Sequence, residues 1–257
     1  MTAAPDPDVT VEALRLAELG DARGVRLRVV GGVAVALHTK GEVHPALRRP
    51  YRDIDLVTTR KGDRDALKVL LDAGYESNAR FNSMVGVHNR LVMYDTANGR
   101  QLDVFVGEFK MCHAVPFDRL DVDGPTVPLA ELLVTKLQIV TLNDKDVQDI
   151  VAIVLEHPVD SGDADTVNAA RVAQLLASDW GLWRTSQGSV ETVRQALERL
   201  ALAADERDLV SARLDALWER VEQEPKPLRF RTRARVGDRT RWYEEPDEVE
   251  HRSLGDA

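Results

Sequence analysis

The sequence predicts a mixed α/β protein: a sheet with flanking helices, then a mainly helical half. Three observations predict it. Short strand-like runs, "VRLRVV" (25–30) and "RDIDLVT" (52–58), alternate with helical-period segments in the first 125 residues. Two more alternating runs, "GVHNRLVMYD" (86–95) and "RQLDVFVGEF" (100–109), flank "TANGR", where Asn98-Gly99 signals a hairpin. After "DGPTVP" (123–128) the apolar period is almost wholly that of helices.

The elements follow in order. Residues 1–8, with two prolines, read as a frayed tail, and "VTVEALRLAEL" (9–19) as a helix that stops near Gly20 and Gly24. The strand 25–30 runs into Gly31 and Gly32, then the short apolar helix "VAVALH" (33–38). Residues 39–51 form a loop punctuated by Pro45 and Pro50. Strand 52–58 is followed by the helix "RDALKVLLDA" (64–73), which Asp63 can cap and Gly74 can end. In the second half, helices are expected over 129–142, 145–157 with Asp144 as cap, 162–180 from an Asp-rich start, and 189–224 as one or two pieces. Pro225 and Pro227 end the helical part. "LRFRTRARVGDRTRWYEE" (228–245) alternates, so an Arg-rich hairpin turning at Gly237-Asp238 is expected, followed by an acidic tail. The expected division is 1–125 catalytic, 126–224 helical accessory, and 225–257 hairpin and tail.

Composition narrows the function classes. The 257 residues are 44% hydrophobic and 30% charged, enough to bury a core. The net charge of −9 argues against sequence-blind DNA binding, which depends on neutralising phosphates. One cysteine, Cys112, permits no intrachain disulfide and no Cys-rich zinc site, and "MCH" (111–113) lacks further ligands. The six histidines, His38 and His88 among them, show no metal-ligand spacing and are expected to satisfy local hydrogen bonds. No apolar run is long enough for a bilayer, and the first residues lack the pattern of a signal peptide. A soluble cytoplasmic protein is the expectation.

The acids carry the chemistry. Asp53 and Asp55 share parity on their strand, so both point to one face. Asp103 stands among apolar residues on the strand after the hairpin. If these strands are neighbours, three carboxylates converge, and a cation must hold them together. Oxygen-only ligands favour Mg²⁺ or Mn²⁺. The glycine pair before a helix offers bare N–H groups to an anion. A phosphate cradle beside a carboxylate–metal cluster suits phosphoryl or nucleotidyl transfer.

"VVGGVAVALH", "RDIDLV", "LDVFV", "LLVTKLQ" and "KDVQDI" together resemble the nucleotidyltransferase superfamily with the polymerase-β-like fold. More narrowly, the chain resembles small bacterial enzymes of that group, the AbiEii-type toxins and relatives of the antibiotic nucleotidyltransferases. The resemblance covers roughly residues 25–157. It implies that Gly31 and Gly32 hold the triphosphate and that Asp53 and Asp55 bind the divalent ions. Asp103 is then the third metal-binding acid, which helps deprotonate the acceptor hydroxyl. Lys136 neutralises the triphosphate, and Asp146 or Asp149 matches a later acidic motif.

Two departures stand out. Gly-Gly replaces the Gly-Ser of many members, and residues 33–52 make a longer gap before Asp53. That loop carries Arg48, Arg49 and Arg52, which can offset the missing hydroxyl, and Arg52 is the expected nucleotide contact among them. Simpler roles stay open. Lys136 can lie on a solvated face, and Asp146 and Asp149 can favour their helix N-terminus. Arg229, Arg231, Arg233 and Arg235 can form a charged edge strand that blocks aggregation or pairs with the acidic tail "EEPDEVE", or a grip on phosphates of RNA or of the nucleotide.

The expected function is Mg²⁺- or Mn²⁺-dependent transfer of NMP from an NTP, ATP among them, to an acceptor hydroxyl with release of pyrophosphate. The acceptor is a small molecule or a tRNA, as in toxin–antitoxin-like relatives, with no membrane partner. The alternative is a non-catalytic nucleotide- or partner-binding relative.

Overall fold

A computed structural model of the chain describes residues 4–39, 43–84 and 89–245. His88, the expected strand start at 86–87 and the acidic tail beyond Glu245 lie outside the described residues. Within them the protein is a mixed α/β fold. The first half runs α1 (Val9–Ala22), β1 (Arg28–Val30), α2 (Gly31–His38), β2 (Ile54–Thr58) and α3 (Asp63–Asp72). Then come β3 (Glu76–Ser77), α4 (Ala79–Asn82), the hairpin β4 (Arg90–Asp95) and β5 (Arg100–Val106), and a smaller ribbon, β6 (Glu108–Lys110) and β7 (Ala114–Pro116).

The main sheet has the order β1-β2-β5-β4-β3, with β2 and β5 parallel and the other pairs antiparallel. Thr126 bridges Val29 outside β1, so the start of the second half extends the sheet edge. That half contains α5 (Leu129–Leu137), α6 (Asp144–Glu156), the short pair β8 (Val159–Asp160) and β9 (Val167–Asn168), α7 (Ala169–Ser178), α8 (Trp180–Leu197), α9 (Ala204–Gln223) and α10 (Leu228–Val236).

Local chemistry explains the ends. The Asp8 carboxylate accepts the N–H groups of Thr10 and Val11 and starts α1. Helix α6 starts with a reciprocal box. The Asn143 side chain accepts from Asp146 N, and the Asp146 side chain accepts from Asn143 N. Asn143, not Asp144, is therefore the cap. Asn168 likewise caps α7, whose helix starts after the Asp-rich stretch. Gly62, not Asp63, precedes α3.

All nine residues of α5 are buried, among α2, α6, α7 and α8. One continuous apolar cluster runs from Ala13 to Val221, so the expected boundary at residues 125/126 falls inside a shared core.

The Arg-rich hairpin is not formed. Residues 228–236 are helix α10 instead. Alternating arginine and small or apolar residues suit either state, and arginine is a good helix former. Tertiary packing decides: Phe230 is buried and meets Trp183 edge-on at 5.8 Å. At about 100° per residue the four arginines cannot share a face. Arg231 and Arg235 lie on one flank, Arg229 on the other, and Arg233 turns inward onto the Trp180 ring at 4.5 Å.

Candidate functional site

The site is built where β1 turns into α2. Val30 pairs with Asp55 across the antiparallel β1–β2 ladder. The chain then turns at Gly31 with φ of +72° and begins the helix. Only glycine takes that conformation readily, and a Cβ at Gly31 would collide with Asp55 Oδ2. No side chain caps α2. Its first N–H groups are therefore open to an external acceptor, at the positive end of the helix dipole.

Asp55 pairs in register with Asp103 across the parallel β2–β5 ladder. Both carboxylates therefore stand on one face of neighbouring strands, as the parity of the sequence predicts. Burial first, then the charges of Asp103 and Asp53, push the Asp55 carboxyl up to about 7, against the pull of Lys136 and Arg90. Among the described residues no donor satisfies Asp55. Asp53 is exposed, just ahead of β2, and acts on Asp55 through its charge.

Asp103 is buried and held. Arg90 donates Nε to Oδ1 at 3.1 Å and places Nη2 2.7 Å from Oδ2. Gln101 Nε2 donates to Oδ2 at 3.0 Å. Arg90 was legible in principle: Val92 pairs with Asp103, so Arg90, two residues along β4, sits diagonally on the same face.

Lys136 is only 9% exposed, which removes the solvated-face alternative. Its Nζ lies 2.8 Å from Asp149 Oδ2 and 3.9 Å from Asp146 Oδ1. Asp146 is spent on the α6 cap, and Asp149 is buried between Lys136 and Arg49. These two acids serve cations and the helix start.

The loop before β2 contributes Arg49. The exposed Arg52, the expected contact, has no charged partner among the described residues. Arg49 stacks on the Tyr51 ring at 4.3 Å and crosses Gly32 so closely that a Cβ there would strike Nη2. It reaches Asp149 with two hydrogen bonds, at 2.9 and 2.7 Å. Arg49 and Lys136 thus converge on one carboxylate beside the open end of α2. Nothing local in the sequence singles out Arg49, since its partner is 100 residues away.

Two glycines, then, expose a helix start between an acidic side (Asp53, Asp55, Asp103) and a basic side (Arg49, Lys136). The basic side and the N–H groups suit an anion. The acidic side offers only oxygen, and Asp55 faces a like charge with no donor; this suits a hard cation. Among the described residues no three His, Cys, Asp or Glu side chains stand together as a metal-ligand group. As placed, Asp103 is turned to Arg90, so bringing it to a cation requires that ion pair to open.

Elsewhere, His38 Nε2 meets Thr126 Oγ1 at 2.9 Å and the Val127 carbonyl at 3.2 Å. The Cys112 thiol is free and buried. Comparison with models of known protein families gives no match, and comparison with curated proteins gives none.

Proposed function

We propose that this chain is a divalent-metal-dependent nucleotidyltransferase, moving NMP from an NTP to an acceptor hydroxyl on a small molecule or tRNA and releasing pyrophosphate. The observation that carries it is the in-register pair Asp55 and Asp103 beside the uncapped Gly31–Gly32 helix start. The resemblance of the same segments to that superfamily supports it. Asp53 and Asp55, with Asp103 once released from Arg90, would hold Mg²⁺ or Mn²⁺. When bound, the metal neutralises triphosphate charge and lowers the pKa of an attacking hydroxyl.

The remaining work belongs to the chain itself. The N–H groups at Gly31 and Gly32 and the cations Arg49 and Lys136 bind and orient the phosphates. These donors are fixed before substrate arrives, so they stabilise developing charge without reorganising. Asp149 positions the two cations. Asp103 accepts the proton of the acceptor hydroxyl.

A transfer assay with α-labelled NTPs, Mg²⁺ or Mn²⁺, total RNA and a metabolite extract tests this. Label should pass to one acceptor class, and Asp55→Asn should abolish it. Unchanged Mn²⁺ and NTP affinity in both Asp53→Asn and Asp55→Asn would overturn the proposal. The Arg90 ion pair favours a second reading, a non-catalytic nucleotide- or partner-binding relative. In that case Asp103 is a structural anchor, and NTP binds with no label transferred.

A further inference from the structure

The C-terminal part of the fold concentrates positive charge. Six arginines lie between Arg229 and Arg241, in a chain whose net charge is −9. Arg229, Arg231, Arg235 and Arg239 are exposed, and among the described residues no acid pairs with them. Nearby acids are already engaged: Asp238 with Arg184, Glu244 with Lys110, and Glu245 with Arg241. Arg231 and Arg235, one turn apart on one flank of α10, repel each other. Such a surface gains from an external polyanion.

A second observation points to what that polyanion carries. Beside α10 lies a cavity of about 540 Å³, with Lys110, His113, Arg233, Arg241, Trp242 and Tyr243 in its wall. The two aromatic rings are held in place. Trp242 Nε1 donates to Thr185 Oγ1 at 3.0 Å, and the backbone N–H of Glu244 donates to the Cys112 carbonyl at 3.0 Å. Arg184 and Arg241 sit over the Trp242 and Tyr243 rings at 5.6 and 4.7 Å. The Trp242 tip is thus spent on Thr185, and both rings remain only half-buried. The wall's acids have partners too: Asp179 caps α8, and Glu108 accepts from Asn89.

Free arginines beside fixed, half-buried aromatics form a stacking platform with an electrostatic track. We propose that α10 and this cavity bind single-stranded nucleic acid, with phosphates on Arg231 and Arg235, which share a flank of α10, and on Arg239 beyond its end, and a base against Trp242 and Tyr243. A duplex keeps its bases stacked on each other, so it offers the rings nothing. The proposal does not rest on the transfer reading, because binding here needs neither NTP nor metal.

Fluorescence anisotropy of a labelled single-stranded RNA with the full chain, without metal or NTP, tests it. The expected result is binding that weakens with salt, with a log–log slope of roughly −2 for about three phosphate contacts. Arg231→Glu/Arg235→Glu should weaken binding at least ~10-fold and flatten the slope. Arg231→Lys/Arg235→Lys should retain most of it. Trp242→Ala should weaken binding roughly 10-fold while leaving the slope in place. Both arginines are exposed, so unchanged melting of the double variants checks the fold. Absence of binding, or binding untouched by the glutamate pair, overturns the proposal. So does competition by duplex RNA or polyglutamate as strong as by the single strand. Asp55→Asn should bind the RNA normally, which separates this site from the acids.

Discussion

Arg49 and Asp149 form a two-bonded ion pair, Nε to Oδ1 at 2.9 Å and Nη2 to Oδ2 at 2.7 Å, joining the loop before β2 to α6. Lys136 shares Oδ2 at 2.8 Å. Asp149→Asn keeps the shape and removes the charge both cations need. Breaking such a buried group costs about 3 kcal/mol. Urea unfolding should read a loss of that order, and added inorganic phosphate should recover part of it. A loss within experimental error would mean that water already screens the trio.

The two glycines should differ under substitution. Gly31→Ala forces a positive φ on alanine, at roughly 1–2 kcal/mol, and drives a Cβ into the Asp55 carboxylate. At Gly32 the backbone is unstrained, and the added methyl meets the Tyr51 ring and Arg49 Nη2, so making room shifts that guanidinium and loosens one of its two bonds to Asp149. Gly31→Ala should therefore melt well below the parent. Gly32→Ala should melt closer to it but bind NTP more weakly. Equal melting of the two variants would contradict this.

The raised Asp55 carboxyl has a signed consequence. Its folded value of about 7 lies above that of an unfolded carboxylate. Between about pH 4 and 7 the native state holds a proton that the unfolded chain has lost, so stability falls as pH rises through that window. At pH 8, Asp55→Asn should be more stable than the parent by ~1–3 kcal/mol, with the gap closing toward pH 4. Thermal unfolding against pH measures this. Because a cation requires the ionised form, Mn²⁺ affinity should drop up to about tenfold per pH unit below 7.

Arg90→Gln releases Asp103 from its strongest partner. Without metal the variant should lose about 2 kcal/mol, toward the lower end for a partly buried ion pair. If Asp103 is a metal ligand, Mn²⁺ should bind several-fold more tightly and restore part of that loss. Calorimetric titration decides it; unchanged affinity would assign Asp103 a structural role alone.

Much of the sheet was legible because its signals are local. Alternation marks the strands, Asn98-Gly99 marks the hairpin, and shared parity with Asp53 put Asp55 on the face where it meets Asp103. What was not legible depends on distance or packing. Arg49 gains its place from Asp149, 100 residues away, so nothing local sets it apart from Arg48 and Arg52 in the same loop. Residues 228–236 fit strand and helix equally until Phe230 finds Trp183. Lys136 could be read either way until burial of the whole of α5 fixed its surroundings.

That burial also bears on how the chain is made. Helix α2 is apolar on nearly every side, with Val33, Ala34, Val35 and Ala36 all buried, and α5 and α6 cover what the sheet leaves bare. Both helices emerge from the ribosome only after every strand of the main sheet has been synthesised. A chain that ends before Leu129 therefore leaves one side of α2 uncovered, and the helix that the glycine turn starts gains its full packing only from α5 and α6.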